Sequence, residues 1–107
     1  MMSSETNFLN LTDKVAIITG AASGLGATTA QMLSQAGANV LINHMPGQES
    51  LAQGVADNCV GDSLCYAADI TKDDECKSLV QAALQQWGRE DILINNAGIN
   101  KPVEHTD

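Results

Sequence analysis

The segment Thr19-Gly20-Ala21-Ala22-Ser23-Gly24-Leu25-Gly26 holds the residue types and spacing best suited to chemistry. It lies where a short apolar run, Val15-Ala16-Ile17-Ile18, gives way to the helix-like stretch from Ala27 to Ala36. Glycines at such a junction let backbone N–H groups approach an anionic ligand that a Cβ would hold off. A helix starting behind them adds unpaired N–H groups and a partial positive charge, which suit a pyrophosphate. Gly20 permits a tight exit from the strand, Gly24 lets backbone approach the phosphates, and Gly26 lets the helix pack close to the sheet. The hydroxyl of Ser23 suits two roles equally, a bond to a phosphate or ribose oxygen and a cap on the helix. The spacing G-x-x-x-G-x-G differs from the G-x-G-x-x-G dinucleotide fingerprint and lacks the Gly-Lys-Ser/Thr that ends a P-loop.

Two further constellations follow apolar runs. Asp69-Ile70 follows Ser63 to Ala67, and Asn95-Asn96-Ala97-Gly98 follows Asp91-Ile92-Leu93-Ile94. With the Thr-Gly-x-x-x-Gly-x-Gly turn they occur in order, each at a strand end, and from Leu11 onward the chain resembles the short-chain dehydrogenase/reductase superfamily. The resemblance implies that Asp69 accepts from the exocyclic amine of adenine while Ile70 covers the ring. For Asp69 a second reading stands beside this one, an aspartate that starts the turn before Thr71. The resemblance also implies that the backbone of Leu25 contacts the cofactor, and that Asn96, Ala97 and Gly98 line the nicotinamide-side ribose. Asn95 is expected to be structural, its amide bridging neighbouring strands.

The cofactor implied is NADP or NAD. Members that prefer NAD place an acid at the end of strand two to accept from the ribose 2′-OH, and NADP is accommodated by a nearby arginine. Here His44 stands at the acid's position and Met45 follows. Without the carboxylate nothing repels a 2′-phosphate, and a donor on His44 tips the balance to NADP. The family's chemistry also needs a tyrosine, a lysine four residues later and an assisting serine. The sole tyrosine, Tyr66, has Ile70 four places on, so no catalytic residue is assigned and the chain alone is expected not to turn over substrate.

The elements that must position these residues alternate. Strands are expected at Lys14–Thr19, Asn39–Asn43, Ser63–Ala67 and Asp91–Asn95. Helices are expected from Leu25 to Ala36, closed by Gly37, and from Gln48 to Asn58, weakened by Gly54. In the third helix Thr71 and Asp74 fit a capping box. Cys76, Leu79, Val80, Ala83, Leu84 and Trp87 then form one buried stripe, ended by Gly88, which makes Trp87 a core residue. Apolar strands alternating with helices give an α/β fold, the N-terminal part of a Rossmann-type doubly wound parallel sheet in the order 3-2-1-4. Residues 1–13 are read as a polar leader and 14–107 as the N-terminal portion of an NAD(P)-binding Rossmann domain. An incomplete domain would expose strand four as an apolar edge, so the chain alone is expected to be weakly folded or to associate.

Composition narrows the partners. The net charge is −8, with 13 acidic and 5 basic residues, so no basic stripe is available for nucleic acid. Cys59, Cys65 and Cys76 form no C-x-x-C pair and read as reduced, packed thiols. His44 and His105 lack ligand spacing to any cysteine, so no metal is expected. There is no signal-peptide pattern and no span-length apolar run, which points to a cytoplasmic protein with no membrane partner.

The reading is therefore the cofactor-binding half of an NAD(P)-dependent oxidoreductase acting on a small-molecule alcohol or carbonyl, a homo-oligomer at full length by resemblance. Its tail is similar to glucose 1-dehydrogenase-type members, with 3-oxoacyl-carrier-protein reductases about equally close. The competing class is a short, non-catalytic nucleotide-binding or interaction module. A reading frame that continues to Tyr-x-x-x-Lys separates the two.

Overall fold

Among the described residues four short, largely aliphatic strands stack in parallel, each consecutive pair joined by a connection long enough to cross back over the sheet. The structure, a computed structural model, describes residues 10–96. The elements run β1 Val15–Ile18, α1 Gly24–Gln35, β2 Asn39–His44, α2 Glu49–Asp57, β3 Ser63–Ala67, α3 Asp73–Trp87 and β4 Ile92–Ile94. The sheet order is β3-β2-β1-β4, the order expected, with every neighbouring pair parallel.

Burial explains the layers. All of β1 is inaccessible, as befits a central parallel strand covered on both faces. Ala16, Ile18, Val40 and Ile42 pack on one face with Ala30 of α1 and with Ala52 and Val55 of α2. Val15, Ile17 and Leu41 pack on the other with Leu79 and Ala83 of α3. The period-two alternation of β1 and β2 thus feeds two cores, with α1 and α2 on one side of the sheet and α3 on the other. Buried Ser34 stitches α1 to the turn before β3, its Oγ accepting the N–H groups of Val60 at 2.7 Å and Gly61 at 3.1 Å.

The ends of α3 depart from the capping-box expectation at one terminus and keep to expectation at the other. The helix starts at Asp73 with Lys72 at the N-cap, and no side chain caps it. Thr71 is drawn off instead: its N–H and its Oγ1–H both donate to Asp69 Oδ1, at 3.0 and 2.7 Å. This short-range Asx arrangement satisfies Thr71 before the helix can use it. Gly88 closes the helix at φ 79°, as expected. Of the predicted stripe, Leu84 is 37% exposed, so the buried face narrows toward the C-terminus. Trp87 packs against the α3-side core and its Nε1–H donates to Asp62 Oδ2 at 2.9 Å. It is half-buried at the margin of that core and ties α3 to the loop before β3.

At the other edge of the sheet Asp91 enters β4. Its N–H donates to Val15 O at 2.9 Å and its Oδ2 accepts the N–H of Val15 at 2.9 Å. Arg89 pairs with the same carboxylate, Nε to Oδ2 at 2.8 Å and Nη2 to Oδ1 at 3.0 Å. The Arg89 guanidinium, helped by the Val15 amide, holds the Asp91 carboxyl below the usual carboxylate range. A lowered folded-state pKa contributes stability that is present above the ordinary carboxylate range and lost as pH falls through the lowered value. Urea melts of the chain between about pH 5 and pH 2 should therefore show a shallower acid-side decline for Asp91→Asn than for the wild type. Equal slopes would mean that the Arg89–Asp91–Val15 cluster carries none of the acid sensitivity.

Candidate dinucleotide site

The site is assembled where the strands stop at different heights. The β1–β2 register ends at Ile18↔Ile42, yet β2 continues to His44, where it still pairs with β3 at Asn43↔Tyr66 and His44↔Ala67. Thr19 and Gly20 turn away from the sheet, so the ladder opens beside β1, where a doubly wound sheet places its ligand crevice. Three asparagine side chains fill the gap. Asn43 Oδ1 accepts the Gly20 N–H at 3.1 Å, and Asn96 Nδ2 donates to the Gly20 carbonyl at 3.1 Å. Asn95 Oδ1 accepts the Thr19 hydroxyl at 3.1 Å, and so joins the end of β4 to the end of β1 as expected.

The glycine-rich turn has the geometry its spacing implies. Gly20 and Gly24 lie at φ 60° and 61°. A Cβ built on Gly26 would collide with the Gly20 carbonyl oxygen and lie 2.8 Å from Asn96 Nδ2, so the start of α1 presses directly on the exit of β1. On Gly24 a Cβ would meet nothing within 4 Å. Gly26 is thus required by packing. Gly24 is required by its backbone angle and faces the open space a ligand needs. The first helical bond of α1 runs from Ala27 N–H to Ser23 O at 3.3 Å, so the amides of Gly24, Leu25 and Gly26 precede the ladder. Ser23 sits at the N-cap, exposed and extended, and its hydroxyl makes no capping bond. Leu25 is 70% exposed on the same rim.

The predicted residues on the neighbouring loops meet this rim unevenly. Asp69 follows β3 and is half-buried. Its Oδ1 takes both bonds from Thr71, and its N–H donates to Glu75 Oε1 at 2.6 Å. The turn-forming reading of Asp69 therefore holds locally, alongside any role toward adenine. Ile70 packs against the α3-side core, and its carbonyl accepts Cys76 Sγ–H at 3.1 Å. His44 ends β2 and is only 3% exposed, with Nδ1 2.9 Å from Met45 O. A carbonyl only accepts, so Nδ1 carries the proton and Nε2 of the neutral ring is an acceptor. Ala97 and Gly98 lie outside the described residues.

Two features escaped the sequence reading. One is Asn43, 2% exposed, whose Nδ2 donates to Ala68 O at 3.1 Å and to His44 O and Tyr66 O at 3.3 Å. The available signal was a lone amide closing an otherwise apolar strand, a position where a buried polar group needs partners. The other is the bond from Asn96 to Gly20. Beside the turn, a small apolar cleft of about 120 Å³ opens between α3 and β4, bordered by Thr19, Ile70, Leu79, Leu93 and Asn95. That is too small to admit half a dinucleotide, since ligand pockets run to roughly 300 Å³ and more.

The thiols among the described residues are not set up as nucleophiles. Burial pushes the thiols of Cys59, Cys65 and Cys76 up, which disfavours the thiolate needed for attack or metal binding. Among the described residues no group of three His, Cys, Asp or Glu side chains is placed to hold a metal ion. None of their helices is long and apolar enough to cross a membrane.

A parallel α/β sheet with a glycine turn, a helix N-terminus and two polar strand ends converging beside β1 defines a Rossmann-like module of the doubly wound class. Comparison with known proteins gives the family. The family model described as short chain dehydrogenase matches residues 14–107, and the chain belongs to that family. It is 46% identical over 90 residues to tropinone reductase-like 2 of Erythroxylum coca, covering 83% of this chain and 32% of that protein. Against the 3-oxoacyl-acyl-carrier-protein reductase FabG of Staphylococcus epidermidis the identity is 35% over 92 residues, covering 83% and 37%. A crystal structure of a dehydrogenase/reductase from Sinorhizobium meliloti 1021 superposes with a TM-score of 0.82 at 28% identity, covering 92% of this chain and 39% of that one. The chain thus spans about a third of the length of the curated relatives it matches.

The two glycines should respond differently to substitution. Gly26→Ala forces a Cβ into the Gly20 carbonyl and should cost about 3 kcal/mol, the upper part of the overpacking range. Gly24→Ala meets open space and should cost only the left-handed backbone term, about 1–2 kcal/mol. Chemical denaturation of both variants checks the order. A Gly26→Ala chain no less stable than Gly24→Ala would contradict the close approach.

Proposed function

We propose that this chain is the cofactor-binding part of an NAD(P)-dependent oxidoreductase of the short-chain type, acting on an alcohol or carbonyl. The observation that carries the reading is the Gly20–Gly26 turn. It places three amides ahead of the helix ladder at the strand edge where Asp69 and Asn96 also end. The fit is good: backbone N–H groups and a helix N-terminus suit a pyrophosphate, and Gly24 leaves room for it. Gly20, Ser23, Gly24, Leu25 and Gly26 would hold the phosphates and their ribose. Asp69 and Ile70 would hold the adenine, and Asn96, with Ala97 and Gly98, the nicotinamide ribose. When bound, the nicotinamide supplies hydride transfer, while these residues bind and orient it.

These 107 residues contain no Tyr-x-x-x-Lys, so the proton step on the substrate oxygen needs groups beyond them, and the chain alone binds cofactor without turnover. The family resemblance supports a cytoplasmic homo-oligomer at full length. The names of the relatives, which include a 3-oxoacyl-acyl-carrier-protein reductase and a tropinone reductase-like protein, keep the substrate at the level of carbonyl or alcohol.

NADP is the preferred cofactor in this reading, because β2 ends without a carboxylate. Calorimetric titration of the chain with NADPH and NADH should give tighter binding of NADPH. His44→Asp, which restores the acid, should weaken NADPH relative to NADH by about tenfold, or 1.4 kcal/mol. Tighter binding of NADH to the wild type would overturn the NADP preference. Absence of binding by either would overturn the dinucleotide reading.

A further inference from the structure

Asn43 links both walls of the crevice through the two ends of one buried amide. Its side chain reaches forward to the Gly20 amide, on the phosphate-facing turn. The other end of the same amide donates to the carbonyl of Ala68, the residue before Asp69. Its own main chain adds a third tie, the carbonyl accepting the Ala21 N–H at 2.8 Å. Gly20 is held from the opposite side by Asn96 Nδ2, so both polar atoms of this peptide-linking residue are fixed by amide side chains. The β3–α3 segment has no ladder to the glycine turn, because β2 stands between them. Asn43 bridges that gap with both ends of one short, buried group.

We propose that Asn43 is a positioning residue whose amide sets the distance between the phosphate-facing turn at Gly20 and the adenine-facing segment Ala68–Ile70, so that one ligand can span both. The inference rests on the dinucleotide reading above. A ligand that touches both walls gains from their fixed separation, in the way two linked sites gain effective concentration. If the walls drift, such a ligand must reorder them on binding, whereas a ligand that touches one wall does not. Asn43 need not contact the cofactor to act in this way.

The test compares ADP, which spans both walls, with adenosine, which lacks the phosphates. Both are titrated by NMR into the wild-type chain and into Asn43→Leu, a near-isosteric variant that keeps the Ala21 bond and removes the amide. The expected result is a loss of about tenfold or more for ADP, with adenosine changed by less than about threefold. An equal loss for both ligands means a structural role only and overturns the inference, as does no loss for either. If the wild type binds NADPH, NADH and ADP with no measurable affinity, the dinucleotide reading itself falls and the inference falls with it.

A second measurement needs no variant, should Asn43→Leu fail to fold. In the ligand-free wild type the Gly20 amide should exchange with solvent as slowly as amides of the β1–β2 ladder, although Gly20 lies beyond the end of β1. Its exchange at the rate of an unbonded turn amide would show that Asn43 does not hold the turn.

Discussion

The C-terminal edge of this molecule depends on one close approach, the carbonyl of Gly20 against the backbone of Gly26. There is no room between them for a single carbon, so α1 starts within van der Waals reach of the strand it follows. That proximity sets the amides of Gly24, Leu25 and Gly26, which precede the helix ladder, beside the exit of β1. It also seats Ala30 in the core shared with Ile18 and Ile42. Packing and ligand geometry are therefore two consequences of one missing Cβ. A larger residue would lift the helix and remove both together.

A second constraint follows from the first. A chain that leaves β1 to make this turn abandons ladder bonds that β2 still offers, and buried peptide groups left without partners cost free energy. Two asparagines supply partners for Gly20, Asn43 from β2 to its N–H and Asn96 from the end of β4 to its carbonyl, while Asn95 accepts the Thr19 hydroxyl. Among the described residues no buried side-chain nitrogen or oxygen lacks a partner. An amide suits this place because it donates and accepts at once, and it carries no charge that would compete with a bound phosphate.

Much of this was legible in the sequence. The strand order, the positive φ of Gly24, the close packing at Gly26 and the packing of Trp87 against the α3-side core all follow from periodicity and from glycine stereochemistry, which are local properties. The misreadings came where a residue had two local partners available. Thr71 fits a capping box by spacing, but Asp69, two residues before it, captures its hydroxyl, and spacing cannot rank the two. Leu84 fits the helical stripe by its phase, yet its burial depends on how far the sheet extends beneath it. Asn43 escaped because its four side-chain bonds reach the ends of β1 and β3 as well as its own strand, and only the sheet order makes those ends neighbours. His44 does end β2, as counting along that strand implies. Its engagement with Met45 O depends on backbone geometry that residue types do not encode.

The charge distribution fits a site built from backbone. The chain carries −8 overall. Lys14 and Arg89 precede β1 and β4 at the opposite edge, and Lys72 and Lys77 belong to the start of α3. None of these cations lies in the glycine turn or at the end of β2. An anion held there is stabilised by oriented N–H groups and the end of a helix dipole, which act within about one turn and do not gather charge from afar. Such a site can hold a compact pyrophosphate anchored by its sugars and bases, but it lacks the extended cationic surface that a polyanion requires. In the proposed function, a pyrophosphate would therefore be held by the backbone of one turn and not by a cluster of cationic side chains.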